Sequence, residues 1–148
     1  MRRGRYHRSV INVGHRVRDY EIVARLKPGG MATLFLARRV GVDGFTRPVV
    51  IKVVHPHLAA DPAIVSMFLD EARVSASIHH PNVVHVEELG HDAGTYFLAM
   101  EHIPGEPVST LLAALSQARQ RLEPRLAAWI ARGAAAGLHA AHETRDGQ

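Results

Sequence analysis

The sequence predicts an α+β fold, in which one helix packs on an antiparallel sheet of five short strands and two further helices follow. Three observations predict this arrangement. Short β-branched or alternating segments are separated by turns that contain glycine and proline. A helical apolar period replaces the alternating one after residue 62. The connector "EHIPGEP" then precedes two more helical segments.

The first two strands are predicted at residues 20–26 and 33–39, joined by "KPGGMA", in which the doubled glycine supplies the sharp turn. A second turn, "GVDGFTRP", follows with Asp43-Gly44 at its tip. The third strand, residues 49–54, is a continuous β-branched run, which is typical of a strand covered on both faces.

A helix is predicted at residues 63–78, with Asp61 as N-cap and proline at the first helical position. Pro81 in "HHPN" cannot continue the helix. A β-hairpin follows, with strands at 83–89 and 95–100 and "GHDAG" as its turn. These elements complete the predicted sheet.

The last predicted helices span residues 108–120 and 124–142. The second carries an apolar stripe formed by Leu126, Trp129, Ile130, Ala134 and Leu138. That stripe has little to pack against, which indicates a missing partner and a fragment of a longer protein. The predicted domains are 20–100, a connector at 101–107, and an incomplete helical part at 108–148.

The composition is that of a globular protein, with 47% apolar and 22% charged residues in a chain of 148. Cysteine is absent, which excludes disulfides and thiolate metal sites and fits a cytoplasmic location. No apolar run approaches the ~18 residues of a membrane span, and no secretory signal is present. We therefore expect a cytoplasmic protein with no membrane segment in this portion.

The net charge of +4 is concentrated near the N-terminus, where six arginines precede the first acidic residue, Asp19. They are Arg2, Arg3, Arg5, Arg8, Arg16 and Arg18. We predict that residues 1–19 form a basic, disordered leader. A basic arm can also bind nucleic acid or anionic lipid, but no nucleic-acid recognition fold accompanies this one, so no nucleic-acid partner is expected.

One lysine raises a question of charge compensation. Lys52 lies within the β-branched run, although arginine supplies nearly all the basic charge of this chain. When the helix is projected at 100° per residue, Glu71 falls in the middle of its apolar stripe, whereas Asp70 points to solvent. Either charge buried alone would be costly, so we predict that Lys52 and Glu71 pair. Such a lysine beside a glycine turn is suited to hold a phosphate oxygen.

Four motifs in order resemble the protein kinase family, most closely the bacterial serine/threonine kinases of eukaryotic type. "LKPGGMATLFLA" resembles the Gly-rich loop, and "VVIK" resembles the V-A-I-K strand. "FLDEARVSASIHHPNVV" resembles the helix with the partner glutamate, and "TYFLAMEHIPGEPVSTLL" resembles the last strand of the N-lobe with the gatekeeper and hinge. The resemblance implies a kinase N-lobe, a hinge and the first two helices of an incomplete C-lobe.

By this resemblance, Lys52 and Glu71 are the catalytic ion pair that orients the ATP phosphates. The backbone around Gly29 and Gly30 would cover the phosphates, and Met100 would be the gatekeeper. The full set of implied ATP-binding residues is Leu26, Lys27, Pro28, Gly29, Gly30, Met31, Ala32, Thr33, Leu34, Val50, Lys52, Met100, Glu101 and Ile103.

The sequence departs from the family pattern at both ends. The loop pattern G-x-G-x-x-G has Lys27 and Ala32 at its outer positions, and Val50 replaces the alanine of V-A-I-K. The catalytic loop H-R-D-x-x-x-x-N and the D-F-G motif, which supply the base and the Mg²⁺ ligands, do not occur. ATP and Mg²⁺ are the implied cofactors of a full-length enzyme, no metal ligand is predicted here, and the segment alone should be inactive.

Three alternatives remain open at this stage. The altered glycine pattern is also compatible with a non-catalytic, nucleotide-binding scaffold of the same fold. A small-molecule phosphotransferase shares the same lobe, although "HHPNVV" favours a protein kinase and an unidentified protein substrate. The histidine pairs, such as His55 with His57, could suggest a metal site, but no HExxH arrangement is present, so we interpret them as surface or turn residues.

Overall fold

The computed structural model describes residues 11–144, so residues 1–10 of the predicted leader lie outside the described part. The chain divides into two compact units. The sheet unit contains residues up to 76 together with 85–102, and the helical unit contains 77–84 and the residues from 103 onward. Which of these segments act as separate domains stays a prediction.

Six antiparallel strands form one sheet in the order β1-β2-β3-β4-β6-β5 within the described residues. They are β1 (Arg16–Val17), β2 (Tyr20–Pro28), β3 (Ala32–Val40), β4 (Thr46–Val54), β5 (Val86–Asp92) and β6 (Thr95–Glu101). Five of them were predicted. The additional strand, β1, lies inside the predicted leader and pairs with the start of β2.

Alternation along the strands divides the side chains between two faces of the sheet. The core face carries the main buried cluster, which includes Tyr20, Ile22, Phe35, Val49, Ile51, Val53 and Phe97. The helix face packs Val54 and Leu98 against Phe68 and Ala72 of helix α1 (Pro62–Ser77). Strand β4, which is the third of the predicted strands, is thus covered on both faces, as its continuous β-branched run predicts.

Local signals explain where the elements begin and turn. The Asp61 carboxylate accepts a hydrogen bond from the Ala63 amide at 2.9 Å, so it caps α1 as predicted. Ala93 and Gly94 both have positive φ, as a two-residue hairpin turn between β5 and β6 requires. Asp43 and Gly44 also have positive φ, in a short 3-10 turn before β4.

The helical unit contains α2 (Val108–Gln117) and α3 (Pro124–Glu143), and the Glu123 side chain caps α3 by accepting from the Leu126 amide. Helix α3 packs closely against the backbone of Asn82 at Gly137. A Cβ at Gly137 would lie 2.8 Å from the Asn82 carbonyl oxygen, so this position requires glycine. Of the predicted apolar stripe, Ile130 is half-buried, whereas Leu126, Trp129 and Leu138 are exposed.

Buried Tyr20 ties the start of β2 to β5. Its ring is fully buried and packs edge-on against Phe97, with centroids 5.8 Å apart. Its hydroxyl donates to Glu88 at 2.8 Å, and Arg18 pairs with the same carboxylate. Burial, followed by the hydrogen bond to Glu88, raises the pKa of Tyr20 to about 12.

This raised pKa predicts a loss of stability in alkali. The ordinary tyrosine pKa is about 10, so the contribution is complete below pH 10 and is lost as the pH rises toward 12. We expect the free energy of unfolding of the wild type, minus that of Tyr20→Phe, to fall by up to about 1.4 kcal/mol per pH unit in this window. Urea unfolding of both proteins from pH 8 upward measures it. A difference that stays constant to pH 11.5 would contradict the burial of this hydroxyl.

Candidate functional site

The candidate site is built around an ion pair between β4 and α1. The Lys52 Nζ lies 2.5 Å from Glu71 Oε1 and 5.8 Å from the centre of the Phe68 ring. The predicted contact between Lys52 and Glu71 is therefore present. The pair is less buried than predicted, because the Lys52 side chain is 22% exposed and that of Glu71 is 47% exposed. Glu71 lies at the edge of the buried stripe, whose centre is Phe68 and Ala72.

Three of the predicted ATP-binding residues share the helix face with Lys52. Leu34 is in register with Lys52 on the neighbouring strand β3. Val50 lies two residues before Lys52 on β4, so the two side chains point to the same face. Met100 on β6 pairs with Val50 and therefore lies on that face as well. The sheet therefore places one cation beside a strip of apolar side chains, which suits a ligand with an anionic part and an apolar ring.

The glycine turn between β2 and β3 is tight for a reason that the sequence did not reveal. The Gly29 amide donates to the Ala32 carbonyl at 2.9 Å, and a Cβ at Gly29 would lie 3.0 Å from that oxygen. Neither Gly29 nor Gly30 has a positive φ, and a Cβ at Gly30 would contact nothing. Both glycines lie in the turn, but the close approach to the Ala32 carbonyl favours glycine only at position 29.

A histidine that we interpreted only as a surface or turn residue holds this turn in place. The His55 Nε2 lies 2.9 Å from the Gly29 carbonyl, and the His55 amide donates to the Met31 carbonyl at 3.0 Å. Because a carbonyl only accepts, Nε2 carries the proton in this contact. The contact joins residues 26 positions apart, so no local pattern could have identified it. His55 also stacks on His57, with centroids 5.5 Å apart.

The remaining predicted site residues are not all in one place. Leu26 and Met31 are exposed near the turn, as are Lys27 and Pro28. The Thr33 side chain lies on the core face, opposite to Lys52, so only its backbone is available to the helix face. The Glu101 amide and carboxylate are bonded to the backbone of His85. Ile103 belongs to the helical unit and is exposed.

Two further kinds of feature are absent from residues 11–144. No group of three or more histidine, aspartate or glutamate side chains there is arranged to hold a metal ion. Among the same residues, no helix combines the length and apolar character needed to cross a membrane.

No family model matches the chain, but known proteins are similar to it in sequence. The tyrosine-protein kinase MasK of Myxococcus xanthus is 45% identical over 124 residues, which is 84% of this chain and 19% of MasK. The serine/threonine-protein kinase PkaB of Streptomyces coelicolor is 33% identical over 130 residues, or 88% of this chain and 28% of PkaB.

The fold is also found among solved structures. A crystal structure of the Mycobacterium tuberculosis PknI kinase domain superimposes with a TM-score of 0.71 at 25% identity, covering 90% of this chain and 51% of that one. The chain thus spans about half of a solved kinase domain and under a third of the two curated relatives. By sequence and by fold, the chain is related to the bacterial protein kinases and has the N-lobe of that family, followed by helices of an incomplete C-lobe.

Proposed function

We propose that this chain is the ATP-binding part of a bacterial, cytoplasmic serine/threonine protein kinase. The observation that carries the proposal is the Lys52–Glu71 pair, placed on one sheet face with Leu34, Val50 and Met100. The resemblance to kinases and the names of the relatives support the same conclusion. MasK is named a tyrosine kinase and PkaB a serine/threonine kinase, so the choice of serine and threonine rests on the second relative and on the motifs.

In the proposed complex, the Lys52 ammonium binds the α- and β-phosphates of ATP, and Glu71 fixes the direction of the ammonium. The Gly29 amide is already bonded to Ala32. The amides of Gly30 and Met31 are the turn donors that remain for phosphate oxygens, since neither makes a backbone hydrogen bond within the described residues. Leu34 and Val50 would contact one side of the adenine, and Glu101 would offer its carbonyl to the adenine edge.

Phosphoryl transfer to a protein hydroxyl needs more than these residues. The 148 residues contain neither the H-R-D-x-x-x-x-N pattern nor D-F-G, which in the family supply the base and the Mg²⁺ ligands. We therefore assign these residues the binding and orientation of ATP, and we place Mg²⁺ coordination and proton removal on other parts of a full-length kinase.

A second candidate function is a non-catalytic nucleotide-binding scaffold of the same fold. The specific observation in its favour is the replacement of two loop glycines by Lys27 and Ala32. The two functions differ in the complete coding sequence, because only a catalytic kinase requires intact H-R-D and D-F-G motifs.

The site assignment predicts that ATP stabilises the chain through Lys52. At an ATP concentration about 100 times Kd, the folded state should gain about 2.7 kcal/mol, which raises the thermal midpoint. We expect this shift to be lost in Lys52→Met and reduced in Glu71→Gln. Asp70→Asn is the matched control, because Asp70 is the neighbouring helix carboxylate and pairs with exposed Arg73 instead. Equal shifts in wild type and Lys52→Met would refute the assignment.

Because the catalytic base and the Mg²⁺ ligands are assigned to other parts of a full-length kinase, we expect the 148-residue chain to bind ATP without transferring phosphate. Incubation with γ-labelled ATP, Mg²⁺ and a generic protein substrate should give no labelled product, because the catalytic base is absent. The same preparation must show the ATP-dependent thermal shift, which demonstrates that the chain is folded. Labelled protein above the Lys52→Met background would contradict the prediction.

The hydrogen bond from His55 to the Gly29 carbonyl predicts that loss of this donor weakens ATP binding. His55→Gln keeps a nitrogen donor at the same distance from the backbone, whereas His55→Leu removes it. We expect His55→Leu to weaken ATP binding by roughly three- to tenfold and to speed amide hydrogen exchange at Gly30 and Met31. His55→Gln should restore both properties, and His57→Leu should change neither. Equal losses in His55→Gln and His55→Leu would show that packing of the ring, and not its hydrogen bond, is what matters.

A further inference from the structure

The two lysines of this chain, Lys27 and Lys52, lie in one row across the sheet. Lys27 on β2 is in register with Leu34 on β3, and Leu34 is in register with Lys52 on β4. Side chains of directly paired residues point to the same face, so both lysines lie on the helix face with Leu34 between them. Neighbouring strands are about 4.8 Å apart, so the backbones of the two lysines are separated by about 10 Å.

A bulge in β2 directs Lys27 to this face. Arg25 pairs with Phe35, whose ring belongs to the core cluster, and residues two apart on a regular strand share a face. The register shifts between Arg25 and Lys27, so that Lys27 pairs with Leu34 on the opposite face. Bulges are common next to functional sites, where they change the direction of a side chain. Here the bulge brings a second positive charge to the candidate site.

The charge balance of the candidate site requires such a cation. The Lys52 ammonium lies 2.5 Å from Glu71 Oε1, so the two charges of this pair cancel. The phosphates of ATP carry several negative charges, which a neutral pair does not balance. Lys27 is exposed, and its ammonium forms no ion pair within residues 11–144. It therefore supplies the net positive charge that the ion pair lacks.

We propose that Lys27 is a second phosphate-binding residue of the nucleotide site, acting from β2 while Lys52 acts from β4. This inference rests on the proposed function. The phosphate chain would pass between the two ammonium groups and beneath the amides of Gly30 and Met31. A lysine suits this position because its charge is carried on a flexible stem that adjusts to the ligand. The replacement of a loop glycine by Lys27 then adds a phosphate contact and is not by itself a sign of a non-catalytic scaffold.

Calorimetric titration of the 148-residue chain with ATP tests this role. Lys27→Met removes the charge and keeps the length of the side chain, so we expect it to weaken ATP binding by roughly tenfold. Lys27→Arg keeps the charge and should bind ATP within about threefold of the wild type. Arg25→Met is the matched control, because it removes one positive charge from the same strand on the opposite face. It should leave the ATP affinity unchanged.

Adenosine provides the ring and ribose of ATP without the phosphates, so it should bind the wild type and Lys27→Met equally. Circular dichroism verifies the fold of each variant. Wild-type ATP affinity in folded Lys27→Met would overturn the proposal, as would an equal weakening of ATP and adenosine, which would indicate a disturbed turn. An equal loss in Arg25→Met would also overturn it, because the effect would then be one of net charge. Failure of the proposed function is distinguishable, since the ATP affinity would then not depend on Lys52.

Discussion

The alternation of side chains along β4 is the constraint on which the candidate site depends. Val49, Ile51 and Val53 enter the core face, where the first two are fully buried, so Lys52 must lie on the helix face. A shift of one residue in register would bring the ammonium into the apolar cluster around Tyr20 and Phe97, where it would lose its hydration and its contact with Glu71. The β-branched run therefore does two things at once: it forms the core and it fixes the direction of one charge.

That direction matters more than any stability that the ion pair supplies. The pair between Lys52 and Glu71 is partly exposed, and solvent screens such pairs until they contribute little to folding. The premise of a fully buried pair is therefore too strong, although the pairing itself is correct. A partly hydrated ammonium is better suited to a ligand than a buried one, because a phosphate can replace its water without first breaking a dry ion pair.

Within residues 11–144, the sequence predicted five of the six strands, all three α-helices and the partners of the ion pair, because each depends on a local period or cap. It missed β1 because two residues, Arg16 and Val17, carry no recognisable alternation. It also missed His55, whose partner is distant in the chain. The exposure of Glu71 could not be read from a helical projection, because a projection gives the direction of a side chain and not the depth of the surrounding groove.

The glycine turn combines three features that act in the same direction. Ala32 and Lys27 replace outer glycines of the family pattern and restrict the backbone, since only glycine populates left-handed conformations freely. Gly29 is bonded to Ala32 across the turn, and His55 holds Gly29 and Met31 from the end of β4. Each feature removes backbone freedom before a ligand arrives. A turn ordered in advance loses less conformational entropy on binding, so fewer glycines need not mean weaker binding of phosphates.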